Sequence, residues 1–335
     1  MLRASRPLLP LPPQGRGQDE GCRLNLLIHD AGPQTTVQDL GRRGSLRVGI
    51  PPSGPLDREA FLLANRLVGN ADHAAGLECT LIGPRIEFAD ERWVAVTSAD
   101  MLVTLNGAEI PRWAGFEVEA GDVLRLGAAR SGVRAYIAIS GGIDTPPALG
   151  SRSTYLRGQL GGFEGRALRK GDRLPLGPAS GGAPAEVRED MIPDYAVEPT
   201  VRVVLGPQDD RFSRRGIAAL FDAPYEMTQQ SDRMGARLRG SRIEHTRGHD
   251  IISDGVPLGG IQVVGDGQPI VLLADRQSTG GYTKIGAVCS FDIGRVCQVK
   301  PGQRLRFRQV SVAEAHELLR AYKKELDSAI AYPSP

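Results

Sequence analysis

Short apolar runs separated by turns are the dominant pattern of this chain. Leu24, Leu26 and Ile28 alternate with polar residues, as in a half-buried strand. Residues 270–274 form a continuous apolar run that is typical of a buried strand. Further strand-like runs lie at 77–88, 93–97, 101–105, 121–126, 135–140 and 201–205. Many of the intervening turns are rich in glycine, and the Asn-Gly pair at 106–107 is a strong hairpin signal. The pattern predicts a mainly β protein.

Helical spacing of apolar residues is confined to a few short segments. One is 58–68, with Asp57 as its N-cap, and another is 311–330, where Ser311 and Glu314 form a capping box. A third short helix is expected between them, with Asp209 or Asp210 as its cap and Phe212, Ile217 and Leu220 among its residues. The sequence therefore predicts a few short helices, one of them at the C-terminal end.

The length of 335 residues fits two domains of ordinary size. Residues 177 to about 198 contain few large apolar residues and much Gly, Pro, Ala and acid, which is typical of a linker. We therefore divide the chain into a disordered extension at 1–22, a β domain at 23–178, a linker at 179–198, and a second β domain with the C-terminal helix at 199–330.

Charge and cysteine content exclude several classes of protein. The 41 basic and 39 acidic residues are spread throughout, so we expect no nucleic-acid partner. No apolar run approaches the roughly 20 residues of a membrane helix. Cys22, Cys79, Cys289 and Cys297 form no CxxC pair, which favours four free thiols in a cytoplasmic protein.

Several catalytic motifs are also missing. The chain has no GxxxxGK[ST] phosphate loop and no GxSxG elbow. His245 and His249 have a metal-binding spacing, but the residues between them are poor helix formers, so we predict no metal site. Biotin is carried on a lysine in a Met-Lys-Met type of turn. That turn is absent, so we expect no covalent biotin on this chain.

The densest group of functional side chains lies in residues 269–286, where a buried strand passes into a polar turn. Gly280 and Gly281 allow the backbone to approach a ligand, and their N–H groups can converge on an anion. A plain Gly-Gly turn between two strands explains the glycines equally well. The polar side chains of this segment are Asp275, Arg276, Gln277, Ser278, Thr279, Tyr282, Thr283 and Lys284.

Three further clusters have residue types that suit a small polar ligand with a carboxylate, amide or phosphate. They are residues 34–39, residues 53–65, and Ser231 to Arg233 together with Gln262.

Each of these clusters also has a purely structural interpretation. Ser53 and Asp57 can simply begin a helix, and Arg233 can pair with Asp232 or Asp254 on the surface. The residues alone leave these alternatives open.

Eight distinctive motifs follow one another along the chain. They are TTVQDLGRRG (35–44), SGPLD (53–57), ANRLVGN (64–70), LECTLIGP (77–84), GSRST (150–154), SDRMGARL (231–238), GGIQV (259–263) and DRQSTGGYTKIG (275–286). In this order they resemble the biotin-dependent carboxyltransferase family, also labelled allophanate hydrolase subunit 2. Its members include the C component of bacterial 5-oxoprolinase, the antagonist of a sporulation-kinase inhibitor, and part of the carboxyltransferase domain of urea carboxylase.

The chain departs from the family pattern at a few positions. The family usually has Ala and Met where Pro55 and Leu56 stand, and Pro-Pro at 264–265. Its Thr-Thr-Gly-Gly-Tyr-Pro core corresponds to residues 278–283 here, so Ser278 keeps a hydroxyl while Thr283 replaces a proline.

The resemblance implies two tandem cyclophilin-like β-barrel domains and a partner subunit of the companion family. The first function it implies is one component of an ATP-dependent 5-oxoprolinase, which uses ATP with Mg²⁺ and works with the B and A components on a small amide substrate. Two alternatives remain open: a carboxyltransferase that moves CO₂ from carboxybiotin on another protein to a urea-like acceptor, and a non-catalytic module that binds a kinase inhibitor.

Under the first interpretation, we expect Asp275 and Gln277 to orient the substrate or the loop and Lys284 to neutralise charge. The expected substrate- or anion-binding residues are Ser278, Thr279, Gly280, Gly281, Tyr282, Ser231, Arg233, Gln262, Ser53 and Asp57.

Overall fold

Two β units, each with its own hydrophobic core, make up the structure, a computed structural model that describes residues 25–179 and 181–332. The predicted fold class is confirmed: the protein is mainly β, with four short α-helices, the longest of them near the C-terminal end. The predicted extension at 1–22, with Cys22, lies outside the described residues.

The first unit is a nine-stranded sheet that encloses its core. Its strands are β1 (Asn25–Asp30), β2 (Thr35–Gln38), β3 (Gly76–Thr80), β4 (Arg85–Glu87), β5 (Arg92–Leu105), β6 (Ala108–Glu109), β7 (Gly115–Val118), β8 (Val123–Ile139) and β9 (Arg173–Pro175). The strand order is β2-β3-β8-β4-β1-β9, and β5 pairs with β8, β7 and β6. The long strands β5 and β8 pair antiparallel over most of their length, and β8 also pairs with both β3 and β4. The apolar residues of these strands pack in one core.

The segment between the two units packs against the first unit. Strand β10 (Glu186–Val187) pairs with β20 (Ile330–Ala331), so the C-terminal end of the chain returns to this segment. Ala185 and Val187 are buried in the same cluster as the apolar side of the first helix. The segment predicted as a linker is therefore a packed connection.

The second unit contains a closed seven-stranded barrel. The strands of this unit, seven in the barrel and two outside it, are β11 (Thr200–Leu205), β12 (Tyr225–Met227), β13 (Gly235–Arg239), β14 (Asp250–Gly255), β15 (Gly260–Val263), β16 (Pro269–Leu272), β17 (Thr279–Tyr282), β18 (Lys284–Val288) and β19 (Arg304–Gln309). The barrel has the order β11-β18-β15-β16-β13-β12-β19. Strands β14 and β17 pair only with each other and form a separate two-stranded ribbon.

Side-chain caps fix where the helices begin. Helix α1 (Arg58–Leu67) and α4 (Val312–Asp327) begin at the predicted caps: Asp57 accepts a hydrogen bond from the Ala60 N–H, and Ser311 from the Glu314 N–H. The predicted cap of the second helix is wrong, because α2 (Arg214–Asp222) begins after Ser213, whose Oγ accepts from the Gly216 N–H. The short helix α3 (Ile293–Cys297) has no counterpart among the predicted helices.

Two further observations concern the cysteines and the helices of the described residues. Cys79, Cys289 and Cys297 are free thiols and are buried. In the described residues, no helix combines the length and apolar character needed to cross a membrane.

Candidate functional site

A buried ion network joins the two β units at the predicted residue Arg233. This side chain donates from Nε to Asp275 Oδ2 (2.9 Å) and from Nη1 to Glu78 on β3. Its Nη2 donates to the Gly54 carbonyl (2.6 Å). Arg233 is 6% exposed, so the surface pairing with Asp232 or Asp254 that the sequence left open is wrong.

The charges of this network stabilise one another. Burial opposes the charged form of Arg233, but Asp275 and Glu78 raise the pKa of its guanidinium above its usual value. Burial alone would likewise raise the pKa of Glu78, but Arg233 and Arg134 hold it below its usual value. Arg233 and Glu78 are therefore both ionised at neutral pH.

Asp57 forms a second buried connection between the units. In addition to capping α1, its Oδ2 accepts hydrogen bonds from Ser98 Oγ (3.0 Å), Tyr195 Oη (2.9 Å) and Gln298 Nε2 (3.0 Å). These donors come from the first unit, the packed connection and the second unit. Asp57 thus does more than begin a helix, and its carboxylate is already fully used within the protein.

The segment 53–57 contributes to the same interface through its backbone. Ser53 has a left-handed backbone (φ 57°), and its Oγ accepts a hydrogen bond from Arg42 Nη1 (3.1 Å). The Leu56 N–H donates to Glu78 Oε2 (2.9 Å). Ser53 therefore does not cap α1. The segment reaches the second unit through the Gly54 carbonyl, which accepts from Arg233, and through Leu56, which packs in the core of that unit.

A cleft of about 280 Å³ opens beside the ion network. It is bounded by both units, with Thr80 and Arg134 on one side and Ser231, Arg233 and Asp275 on the other. Ser231 Oγ also accepts a hydrogen bond from the Arg237 N–H (2.9 Å), which fixes the turn before β13.

A second group of predicted residues lies where the chain leaves the barrel after β16, forms β17 of the ribbon and returns to the barrel in β18. Gln277 Nε2 approaches Gln262 Oε1 at 3.5 Å, and Gln262 Nε2 approaches the Tyr282 carbonyl at 3.5 Å. A Cβ on Gly280 would lie 2.4 Å from Gln262 Nε2. The glycine is thus required because the backbone passes directly over the Gln262 amide.

Lys284 is the cationic residue of this group. Its side chain is 1% exposed, and Nζ donates to Asp254 Oδ2 on β14 (3.1 Å). This hydrogen bond is the largest cause of the lowered pKa of Asp254. An ammonium carries three donors, and Asp254 is the only hydrogen-bond acceptor of Nζ in the described chain, so two N–H groups remain for an anion.

The Gly-Gly segment itself forms β17 and pairs with β14 in the ribbon. Ser278, Gly280 and Gly281 are half-buried, whereas Thr279 and Tyr282 are exposed. Thr283, which replaces the family's proline, donates its N–H to the His249 carbonyl (3.0 Å), a bond that a proline could not make.

The predicted residues therefore fall into two groups. Asp275, Arg233, Ser53 and Asp57 lie at the interface between the units, with Ser231 beside the cleft there. The barrel-mouth group, as we call it from here on, consists of Gln277, Ser278, Thr279, Gly280, Gly281, Tyr282, Lys284 and Gln262.

The two groups are adjacent in sequence, since Asp275 of the interface is followed after one residue by Gln277 of the barrel-mouth group. Within the described chain, no hydrogen bond or ion pair joins the side chain of Asp275 to that of Lys284.

Sequence reasoning missed four residues of these groups. Glu78 stands inside the motif LECTLIGP, but its partner is 155 positions away. Gln298 has no local signal, and its partner Asp57 is 241 positions away. Asp254 entered the sequence interpretation only as a surface partner of Arg233, and Gln208, which accepts from the Lys284 N–H (2.9 Å), did not enter it.

The described residues contain no group of three or more His, Cys, Asp or Glu side chains arranged to hold a metal ion. His245 and His249 do not lie on a helix. The ring of His245 instead contacts Thr283 Oγ1 at 3.1 Å, and burial lowers its pKa.

Comparison with known proteins shows which family the chain belongs to. The model of the "Carboxyltransferase domain, subdomain A and B" family matches residues 48–309. The chain belongs to this carboxyltransferase family. The match spans both β units, so the interface and the barrel-mouth group both lie within the family domain.

Relatives of this carboxyltransferase domain are found in two kinds of enzyme. The chain is 38% identical to the C component of Escherichia coli 5-oxoprolinase over 87% of this chain and 93% of that protein. It is 36% identical to urea amidolyase of Saccharomyces cerevisiae, of which it spans only 17%. The crystal structure of Kluyveromyces lactis urea amidolyase matches 93% of this chain and 21% of that chain, with a TM-score of 0.86 at 33% identity.

Proposed function

We propose that this chain is the C component of an ATP-dependent 5-oxoprolinase and acts in the cytoplasm with the companion B and A components. The observation that carries the proposal is the 38% identity to the E. coli C component, which extends over nearly all of both chains. By contrast, the match to S. cerevisiae urea amidolyase covers only 17% of that protein.

The chemistry of the barrel-mouth group supports this proposal. A lactam is inert until its oxygen is made a leaving group, and transfer of a phosphoryl group from ATP to that oxygen would achieve this. Such transfer needs donors that neutralise the phosphate oxygens. Lys284 has two uncommitted N–H groups, and the Ser278 and Thr279 hydroxyls stand on the same segment.

We expect ATP and Mg²⁺ to bind at this group as substrates. Mg²⁺ usually keeps several waters and phosphate oxygens and takes only one or two carboxylates from the protein. Asp254 is the carboxylate beside Lys284, and its side chain is 54% exposed, so it can reach a phosphate-bound cation.

We assign the roles as follows. Lys284 neutralises developing negative charge, and Ser278, Thr279 and the Gly280–Gly281 backbone hold the anion. Gln277 and Gln262 present amides that match the donor and acceptor of a small amide substrate. Asp275 fixes the loop through Arg233, which makes it a positioning residue.

A carboxyltransferase role is the second candidate. It is favoured by the match to the carboxyltransferase family model and by the TM-score of 0.86 to K. lactis urea amidolyase. In this case carboxybiotin on another protein would donate CO₂ to a urea-like acceptor. The same amides of Gln277 and Gln262 would then bind the ureido group.

One reconstitution separates the two candidates. The chain is purified with its B and A partners, and glutamate is followed after addition of 5-oxoproline and ATP. We expect ATP-dependent glutamate formation that disappears when this chain is left out. Absence of glutamate from the intact assembly, together with urea-dependent discharge of carboxybiotin on an added carrier, would replace the first proposal with the second.

A further inference from the structure

Arg276 is a buried cation without a counter-charge. It is 6% exposed, and its only hydrogen bonds in the described chain run from Nε to the Val256 carbonyl (2.9 Å) and from Nη1 to the Leu273 carbonyl (3.4 Å). Its Nη2 has no partner there, and no carboxylate of the described chain lies within ion-pair distance.

Most other buried or half-buried arginines of the protein are neutralised, although Arg42 is also buried without an ion pair in the described chain and donates only to Ser53 Oγ and the Ser153 carbonyl. Arg233 faces Asp275 and Glu78, Arg92 faces Asp90, and Arg202 faces Asp292. Burying an unpaired charge costs several kcal/mol, so such a group is expected to have a partner when the protein functions. For Arg276, burial lowers the pKa and no neighbouring carboxylate opposes this effect.

Arg276 lines a cavity of about 500 Å³ between α1, residues 52–56 and α4. The volume lies in the range of small-molecule sites. Most of the wall is apolar, and its side chains include Leu40, Leu56, Leu62, Leu258, Ile293 and Leu319. The cavity thus combines one unsatisfied guanidinium with a large apolar wall.

The other charged groups at this cavity favour an anion as well. Arg58 and Lys323 line it, are exposed, and have no ion pair in the described chain. Arg66 pairs with Asp72 and Asp327. The remaining carboxylate, Glu59, lies beyond ion-pair distance of Arg276, and burial and Asp57 raise its pKa to about 7.

We propose that this cavity binds a small carboxylate with an apolar body, held by Arg276 at its charged end and by the leucine side chains along its length. The site is separate from the barrel-mouth group and does not depend on the proposed function. A carboxylate is favoured over inorganic phosphate or sulfate because most of the wall can contact only apolar atoms. Since Arg276 lies between Asp275 and Gln277, the occupied cavity would also hold the loop that connects the interface to the barrel mouth.

Isothermal titration of the full chain with hexanoate tests the proposal, with hexan-1-ol and sulfate as the uncharged and non-apolar counterparts. We expect hexanoate to bind more tightly than either counterpart by about tenfold or more, which corresponds to about 1.4 kcal/mol. Arg276→Gln should weaken hexanoate by at least a similar factor. Arg130→Gln removes the same charge from an exposed position outside the cavity and should leave binding unchanged.

A second variant covers the case in which Arg276→Gln does not fold. Leu319→Trp fills the cavity from α4 and leaves both hydrogen bonds of Arg276 in place, so hexanoate binding should also be lost. The proposal is overturned if hexanoate shows no binding up to about 10 mM. It is also overturned if hexan-1-ol or sulfate binds equally well, or if Leu319→Trp binds hexanoate like the unmodified chain.

Discussion

Three consecutive side chains in the loop between β16 and β17 face three different environments. Asp275 accepts from Arg233 at the interface between the β units, Arg276 faces the cavity beside α4, and Gln277 approaches Gln262 at the barrel mouth. A small shift of this backbone would therefore alter an ion network, a cavity and a candidate substrate site together. The position of the loop backbone therefore matters as much as the identity of any single residue in it.

Replacing Arg233 should have the largest effect of any single charge change at the interface. Arg233→Gln leaves Glu78 and Asp275 buried without their main partner, and breaking a buried pair in this way costs about 3–5 kcal/mol. Urea unfolding followed by circular dichroism measures the loss. The matched control is Arg239→Gln on β13, whose pair with Glu226 is exposed and should contribute less than about 1 kcal/mol. Equal stability of the two variants would contradict the stabilising role of the network.

The two glycines of β17 should respond differently to alanine. In Gly280→Ala the new Cβ would lie 2.4 Å from Gln262 Nε2, so the amide must move away from its present position. Around Gly281 the nearest atom is 3.5 Å away, which is ordinary contact. We therefore expect Gly280→Ala to reduce turnover by about tenfold or more and Gly281→Ala to change it far less. Steady-state kinetics of the assembled enzyme decide this, and equal activity of the two variants would contradict the proposed role of Gln262.

At the scale of the elements, the N-caps of α1 and α4 offer a matched comparison. Ser311→Ala removes an exposed cap and should cost about 1 kcal/mol. Asp57→Ala removes a cap and also leaves Ser98, Tyr195 and Gln298 without their shared acceptor. Its expected cost is about 3 kcal/mol or more, because buried donors are left unsatisfied. Denaturant midpoints of both variants test the difference, and equal costs would mean that Asp57 acts only as a cap.

Helix α1 should also carry a pH dependence through Glu59. Burial and Asp57 raise its pKa from 4.5 to about 7, so between these values the folded state binds more protons than the unfolded state. The free energy of unfolding therefore falls as pH rises through this window, by about 3 kcal/mol for this group. Glu59→Gln should remove that fall and stabilise the protein at about pH 8. A variant with the same pH profile as the unmodified chain would exclude Glu59 as its source.

Local signals explain which elements could be predicted from the sequence. The helices at 58–67 and 312–327 begin at caps that act within three residues, so Asp57 and Ser311 identify them directly. The cap of α2 was misplaced because Asp209 and Asp210 are good cap residues that begin a short 3₁₀ turn instead. Strand β14 could not be predicted from a pattern of buried apolar residues, because the strand is largely exposed and its Ile252 is 94% exposed.

Long-range pairing explains what the sequence could not predict of the candidate site. The motif at 231–238 makes Arg233 a candidate site residue, but nothing near it in the chain indicates that Glu78 is its partner. Likewise, nothing near Asp57 in the chain indicates its partner Gln298, which lies 241 positions later. A single sequence gives residue types and local spacing. The division into an interface and a barrel mouth depends on packing between elements.

At the scale of the whole molecule, the two β units are joined at several buried points. The Arg233 network, the Asp57 hydrogen bonds and the β10–β20 pairing all connect segments distant in sequence. The interface cleft and the barrel mouth are thereby fixed relative to each other. Under the proposed function, substrate and the companion components would meet a pre-organised surface, which would lower the conformational cost of assembly.

The most direct test of the proposed function is turnover of the assembled enzyme with a variant of the barrel mouth. Lys284→Ala combined with Thr279→Ala removes the cation and one hydroxyl that we assign to the anion. Glutamate formation from 5-oxoproline and ATP is measured after size exclusion has shown an intact complex, with Arg239→Gln as the control. We expect a fall of at least about a hundredfold in the double variant and full activity in the control. Full activity in the intact double variant would contradict the assignment of the barrel mouth as the active site.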